Sequence, residues 1–251
     1  MLDYEPIVKR WFSSHGYEIT KIPETNEESP DFLILDHTST YILELKTKFP
    51  SDEEIDEREK ILSMGEIYGI DELIARKKEL SKIIHKAKNQ LRNYKKGQDI
   101  LRLVWLSSTG YLAELRLDQF ETTLYGSVYL QSTERYGCCY FFSNSDFFNY
   151  REVLDAAIVS KESDGKKSVR LLINPLSPRY SQMKDSSLLK CFKEGSIVDP
   201  IALEEKGLAF LVDGDVDRKD KEAVLQYLKG KYKSDKIIIS TTVYVSETID
   251  L

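Results

Sequence analysis

The stretch from Ser29 to Lys48 reads SPDFLILDHTSTYILELKTK and carries three charged side chains suited to hydrolytic chemistry. Asp31 stands at the mouth of one apolar run, and Glu44 and Lys46 stand near the end of the next. Alternate residues of a strand share a face, so Glu44 and Lys46 point the same way. A hairpin centred on His37 and Thr38 places Asp31 opposite Glu44, Leu33 opposite Ile42 and Leu35 opposite Thr40, with Phe32–Leu43 and Ile34–Tyr41 on the other face. Both faces are apolar, the mark of interior strands in a covered sheet. Two opposed carboxylates at the edge of such a core repel each other and lose solvation. Lys46 offsets part of that charge and a divalent cation offsets more. Oxygen-only donors suit Mg²⁺ or Mn²⁺, and the backbone carbonyl of Leu45 lies beside the same point as a further donor. A Pro-Asp turn or a Glu-x-Lys strand alone is ordinary structure; the combination in one register is the specific signal.

These residues need elements to hold them. DYEPIVKRWFSSHG reads as a first helix, with Asp3 as its cap, Ile7, Val8, Trp11 and Phe12 at helical spacing and Gly16 as its stop. YEITKI is a short strand, followed by the two runs DFLILD and TYILELKT. Residues 49–73 are charged and helical in part, a long helix is expected from about Asp71 to Tyr94, and DILRLVWLSS is the next strand. The resulting order is α-β-β-β-α-β within the first 109 residues. Beyond it TLYGSVYLQ, CCYFF, VRLLINP, LAFLVDG and KIIISTTVYV read as strands. FFNYREVLDAAIV, SSLLKCFKEG and KDKEAVLQYLKGKYK read as helices. Residues 110–251 are thus a second α/β lobe or an extension of the same sheet.

Pro30-Asp31, followed after twelve residues by Glu44-Leu45-Lys46, resembles the signature of the PD-(D/E)xK nuclease superfamily, whose restriction-endonuclease-like core has the same order of elements. Gln90-Leu91-Arg92-Asn93-Tyr94 is similar to the Q-x-x-x-Y pattern of its RecB-like and exonuclease-like branches. Gln90 and Tyr94, four apart, share one face of the expected helix, with Lys86 a turn earlier. The resemblance covers roughly residues 3–109, with an insertion at 49–73. It implies a mixed central sheet flanked by helices and a Mg²⁺- or Mn²⁺-dependent phosphodiesterase. Asp31 and Glu44 would hold the metal, and Lys46 would orient the attacking water and stabilise the charged transition state. Gln90 and Tyr94 would brace the site or hold the strand being cut, and Lys86 would contact a phosphate. A Glu in the first helix reaches the metal in many members, which makes Glu5 a further candidate; the alternative for Glu5 is a first-turn acid favoured by the helix dipole.

Net charge is −6, which excludes coating of nucleic acid by global positive charge, but its distribution is uneven. FPSDEEIDEREK is acidic, whereas ARKKELSKIIHKAKNQLRNYKK holds Arg76, Lys77, Lys78, Lys82, Lys86, Lys88, Arg92, Lys95 and Lys96 against Glu79 alone. Such a stripe binds phosphates, and the acidic run is either a solvated face or a shield over it. With the nuclease resemblance, the implied substrate is DNA first, RNA being left open, and defence against foreign DNA, restriction and repair are all open as its setting. The alternative is a catalytically inactive module that binds nucleic acid or recruits a protein. With no G-x-x-x-x-G-K-[ST] in the chain, a helicase or ATPase would be a separate partner. A homo-oligomer stays open. Cys138, Cys139 and Cys191 lack metal-ligand spacing and read as reduced thiols. Asp213, Asp215 and Asp217 start like a calcium loop, but Arg218 stands where the turn glycine belongs. No apolar run approaches the roughly 20 residues of a membrane helix, and the expected location is the cytoplasm.

Overall fold

The computed structural model describes residues 3–23, 28–94, 99–163 and 166–249. In chain order the elements are α1 (Glu5–Ser14), β1 (Glu18–Lys21), β2 (Phe32–Leu35), β3 (Thr40–Lys48), α2 (Asp52–Ser63), β4 (Tyr68–Leu73), α3 (Lys78–Asn93) and β5 (Ile100–Thr109). They continue with α4 (Ala113–Tyr125), β6 (Val128–Ser132), β7 (Tyr136–Tyr140), α5 (Asp146–Asn149), β8 (Ala156–Ser163), β9 (Lys166–Ile173) and α6 (Tyr180–Asp185). A 3₁₀ turn (Ser187–Cys191), β10 (Ile197–Val198), α7 (Pro200–Glu205), β11 (Ala209–Leu211), α8 (Lys221–Tyr232), β12 (Ile237–Ser240) and β13 (Val243–Thr248) complete the fold.

The architecture is α/β, a mixed central sheet flanked by helices. Seven strands run in the order β1-β2-β3-β5-β8-β9-β10. β1, β2 and β3 are antiparallel neighbours, and β3, β5 and β8 form a parallel centre. β9 turns back antiparallel to β8, and β10 runs parallel to β9. Both faces are covered, as a parallel centre requires. On one face Ile42, Val104 and Val159 pack against Leu80, Ile84, Ala87 and Leu91 of α3 and Phe120 of α4. On the other, Leu43, Leu103, Trp105 and Ile158 pack against Val8 and Phe12 of α1. A second sheet, β11-β7-β6-β12, joins the first of these cores through Leu130, Cys139 and Phe210, with Val224 and Leu228 of α8 behind it. Residues 110–251 therefore extend the central sheet and share its core with the first half of the chain. No helix among the described residues is long and apolar enough to cross a membrane.

Several elements follow directly from local chemistry. α1 carries Pro6 in its first turn and Asp3 Oδ1 takes the Glu5 amide at 3.0 Å. Ser51 and Glu54 form a reciprocal capping box that starts α2. Asp220 caps α8 through the amides of Glu222 and Ala223. Other elements differ from the sequence-based expectation. The long helix begins only at Lys78, because residues 68–73 form β4, paired antiparallel with β13 at the far end of the chain. FFNYREVLDAAIV is not one helix. α5 ends at Asn149, and Ala156–Val159 enter β8, buried on both sides between β5 and β9.

Candidate active site

The hairpin register is the expected one: Phe32 pairs with Leu43, Leu33 with Ile42, Ile34 with Tyr41 and Leu35 with Thr40. One step further places Asp31, on the bend before β2, opposite Glu44 of β3. Asp31 Oδ2 accepts the Leu45 amide at 2.7 Å, which pins the carboxylate across the strand end. In an antiparallel pair a residue's N–H and C=O face the same neighbour, so the Leu45 carbonyl leaves β3 on the Asp31 side.

Glu44 is fully buried. Burial first, and then the neighbouring Asp31 charge, push its carboxyl up to about 8, against the opposing pull of Lys46. Lys46 Nζ donates to Glu44 Oε1 and, at 2.8 Å, to Gln90 Oε1. Glu44 Oε2 is buried with no hydrogen-bond partner. An acceptor in that state is costly unless a proton or a cation completes it. Two carboxylates, one with a spare buried oxygen, and a strand-end carbonyl are the donors a hard divalent cation takes, the remaining positions being filled by water. The residues present therefore fit Mg²⁺ or Mn²⁺.

α3 supplies the other side of the site. Its apolar stripe fastens it to the sheet and leaves Gln90 directed at Lys46. Gln90 Nε2 also donates to the Ser29 carbonyl at 3.3 Å, and Asn93 Nδ2 to the Glu28 carbonyl at 3.2 Å. The last turn of α3 thus buttresses the segment that delivers Asp31. This role of Ser29 and Asn93 was not foreseen; the polar Asn93 inside the Q-x-x-x-Y pattern is the only sequence signal for it.

Two expected members stand apart. Glu5 Oε1 pairs with Lys21 at 2.8 Å, and among the described residues no three His, Cys, Asp or Glu side chains cluster to hold a metal, so Glu5 does not join Asp31 and Glu44. Tyr94 is not a turn beyond Gln90 on the same helix. α3 ends at Asn93, and Tyr94 caps it in an extended conformation, partly buried against the core. Lys86 is exposed on α3 and lines a groove of about 530 Å³ with Arg76, Lys78, Lys82, His85 and Tyr150. Lys95 and Lys96 lie outside the described residues.

The remaining candidates have structural duties. Asp213 accepts from Tyr227 and Lys231, and Arg218 donates to the carbonyls of Phe141, Val212 and Gly214, which rules out a calcium loop there. The acidic run is α2, whose Glu54 pairs with Arg116 at 2.8 Å. Arg116 also reaches Glu79 of α3, and among the described residues the run forms no ion pair with the lysines of α3. All three cysteines are free thiols. The chain matches no family model, no curated protein and no solved structure at a significant level.

Proposed function

We propose that the chain is a metal-dependent nuclease with a restriction-endonuclease-like core, hydrolysing phosphodiester bonds in DNA. The observation that carries this reading is the convergence of Asp31, the buried Glu44 and Lys46 on one strand end, with Gln90 holding the lysine. A divalent cation bound there would lower the pKa of a water molecule and clamp the scissile phosphate. Asp31, Glu44 and the Leu45 carbonyl would hold it. Lys46, drawn off Glu44 when that carboxylate turns to the cation, would orient the attacking water and offset charge developing on the phosphate. Gln90 keeps the ammonium at the site during that exchange, since its Oε1 is already bonded to Lys46. Lys78, Lys82 and Lys86 along the exposed side of α3 would hold the phosphates leading to the site.

The test incubates the protein with linear, circular and single-stranded DNA and with RNA, in Mg²⁺, Mn²⁺ or EDTA, beside Lys46→Ala and Asp31→Ala. Cleavage that needs the cation and vanishes in both variants is the expected result. Binding without cleavage, indifferent to both substitutions, would make the chain a nucleic-acid-binding module instead.

A further inference from the structure

A second concave site lies apart from the carboxylates, where the end of β4, the α4–β6 turn and the β12–β13 link meet. It encloses about 380 Å³. Its chemistry is one-sided: Arg76 and Lys221 are the charged groups lining it, and no described carboxylate does. Thr122, Ser127 and Thr242 are among the six serines and threonines on its walls, and Tyr129 supplies a ring. The acids whose charge reaches Tyr129, Glu121 and Asp118, are engaged by Arg170 at 3.2 and 3.6 Å.

The walls are fixed. The Ile74 amide donates to the Thr242 carbonyl at 3.0 Å, which ties the β4 side to the β12–β13 side. Tyr129 pairs in register with Ser240 and stacks on Tyr136, ring centroids 5.5 Å apart at 18°. Arg76 Nη2 is held by the fully buried Asp146 at 2.9 Å and also reaches Ser81 at 2.6 Å, while its Nε is buried without a partner. The guanidinium is therefore positioned before any ligand arrives, with its charge balanced by Asp146.

We infer that this pocket binds a small phosphorylated ligand bearing a planar ring, of the mononucleotide class. Lys221 is the lining cation whose charge no described acid balances, while Arg76 is balanced and held in place by Asp146; the hydroxyls suit phosphate and sugar oxygens. Tyr129 and the apolar wall of Leu73, Val128 and Phe142 suit a flat ring. The volume matches one nucleotide and falls short of an oligonucleotide. The inference is independent of hydrolysis at Glu44.

Calorimetric titration in EDTA, which keeps divalent cations from the carboxylates, tests it with the four ribonucleoside 5′-monophosphates, the nucleosides and inorganic phosphate. Lys221→Glu and Tyr129→Ala are the variants. Lys221 is exposed at the first position of α8, where an acid is favoured by the helix dipole, so this variant keeps the fold. Saturable binding of at least one mononucleotide, weakened about 10-fold or more by each substitution, is expected. No saturable binding by any of the four, or binding unchanged in both variants, overturns the proposal. Phosphate binding as tightly as the nucleotides, indifferent to Tyr129→Ala, overturns its ring component.

Discussion

Lys46 and Glu44, two residues apart on β3, form an ion pair in which the carboxylate is fully buried while the ammonium side chain keeps 26% of its surface exposed. The pair is asymmetric. Glu44 bears the desolvation and the Asp31 repulsion, whereas Lys46 keeps water and Gln90. A carboxyl raised to about 8 on folding costs stability at neutral pH, where the unfolded chain would ionise it, and a neutral isostere removes that cost. Glu44→Gln should therefore stabilise the protein in EDTA at neutral pH by about 1 kcal/mol, raising Tm by roughly 2–4 °C for a chain of this size, while abolishing cleavage. A variant that melts well below the parent in EDTA would show that the carboxylate is structural.

Gln90 is the side chain that joins Lys46 to the Asp31 segment through Ser29. Gln90→Ala removes both bonds without touching a carboxylate. The expected result is a kcat lowered about 10-fold or more with KM little changed, because the lysine is then held only by the group it must leave. Equal losses in substrate affinity and rate would instead assign Gln90 to strand binding.

Lys82 and Lys86 lie one turn apart on the groove side of α3. Each phosphate contact contributes about 0.7–0.9 to the slope of log affinity against log salt. Lys82→Ala and Lys86→Ala should each reduce that slope by about 1 and weaken binding equally across DNA sequences. Single-turnover cleavage at saturating DNA should stay unchanged. An unaltered slope would place the nucleic acid elsewhere.

What was legible in the sequence was what depends on near neighbours. The β2–β3 register, and with it the Asp31–Glu44 opposition, follows from alternation across a short turn. α8 follows from its Asp220 cap, and α1 from apolar spacing with Pro6 in its first turn, its N-cap position being Tyr4 where Asp3 was expected. β4 was hidden because its partner is β13, with Tyr68 paired to Thr248. KIIISTTVYV read as one strand, yet it divides between the second sheet and this distant pair. α4 shows little amphipathic contrast because Leu115, Arg116, Leu117, Gln119 and Phe120 are all buried, so helical periodicity is blurred. β8 misled for the same reason: Ala156 to Val159 are covered on both faces, and a short apolar run has no period to distinguish strand from helix. Tyr94 matched a spacing, but the helix that would have carried it round ends one residue earlier.

Asp36 ties the β2–β3 turn to the 3₁₀ segment. Its carboxylate accepts the Thr38 and Ser39 amides at 2.6 and 2.5 Å, the Thr38 hydroxyl, and the Ser187 hydroxyl. Burial pushes the carboxyl up, but the hydrogen bonds outweigh it and the net shift is downward from 3.8. A carboxyl lowered in the folded state stabilises above its unfolded value, and that contribution is lost as pH falls through the lower folded value. Asp36→Asn should thus cost about 1 kcal/mol at pH 7, with the difference from the parent shrinking below about pH 4. Urea unfolding at both pH values reads this directly; a difference that stays constant into acid would remove the charge from the account.

Gly126 ends α4 in the left-handed region at φ 61°, and its amide donates to the Thr122 carbonyl at 2.8 Å. A β-carbon built there would stand 2.5 Å from the Ser143 carbonyl oxygen and 2.8 Å from that of Asn144. The approach is enforced by the Ser143 amide and hydroxyl, which both donate to the Gly126 carbonyl, at 3.0 and 3.1 Å. Gly126→Ala meets the left-handed penalty of about 1–2 kcal/mol and backbone atoms that cannot rotate away. The loss in unfolding free energy should reach about 2 kcal/mol or more. Because Ser127 and Ser143 line the pocket beside Arg76, mononucleotide binding should weaken along with it, measured well below the melting transition. A variant with the parent's Tm would mean that the α4–β6 turn yields freely, and the rigid wall invoked for that pocket would go with it.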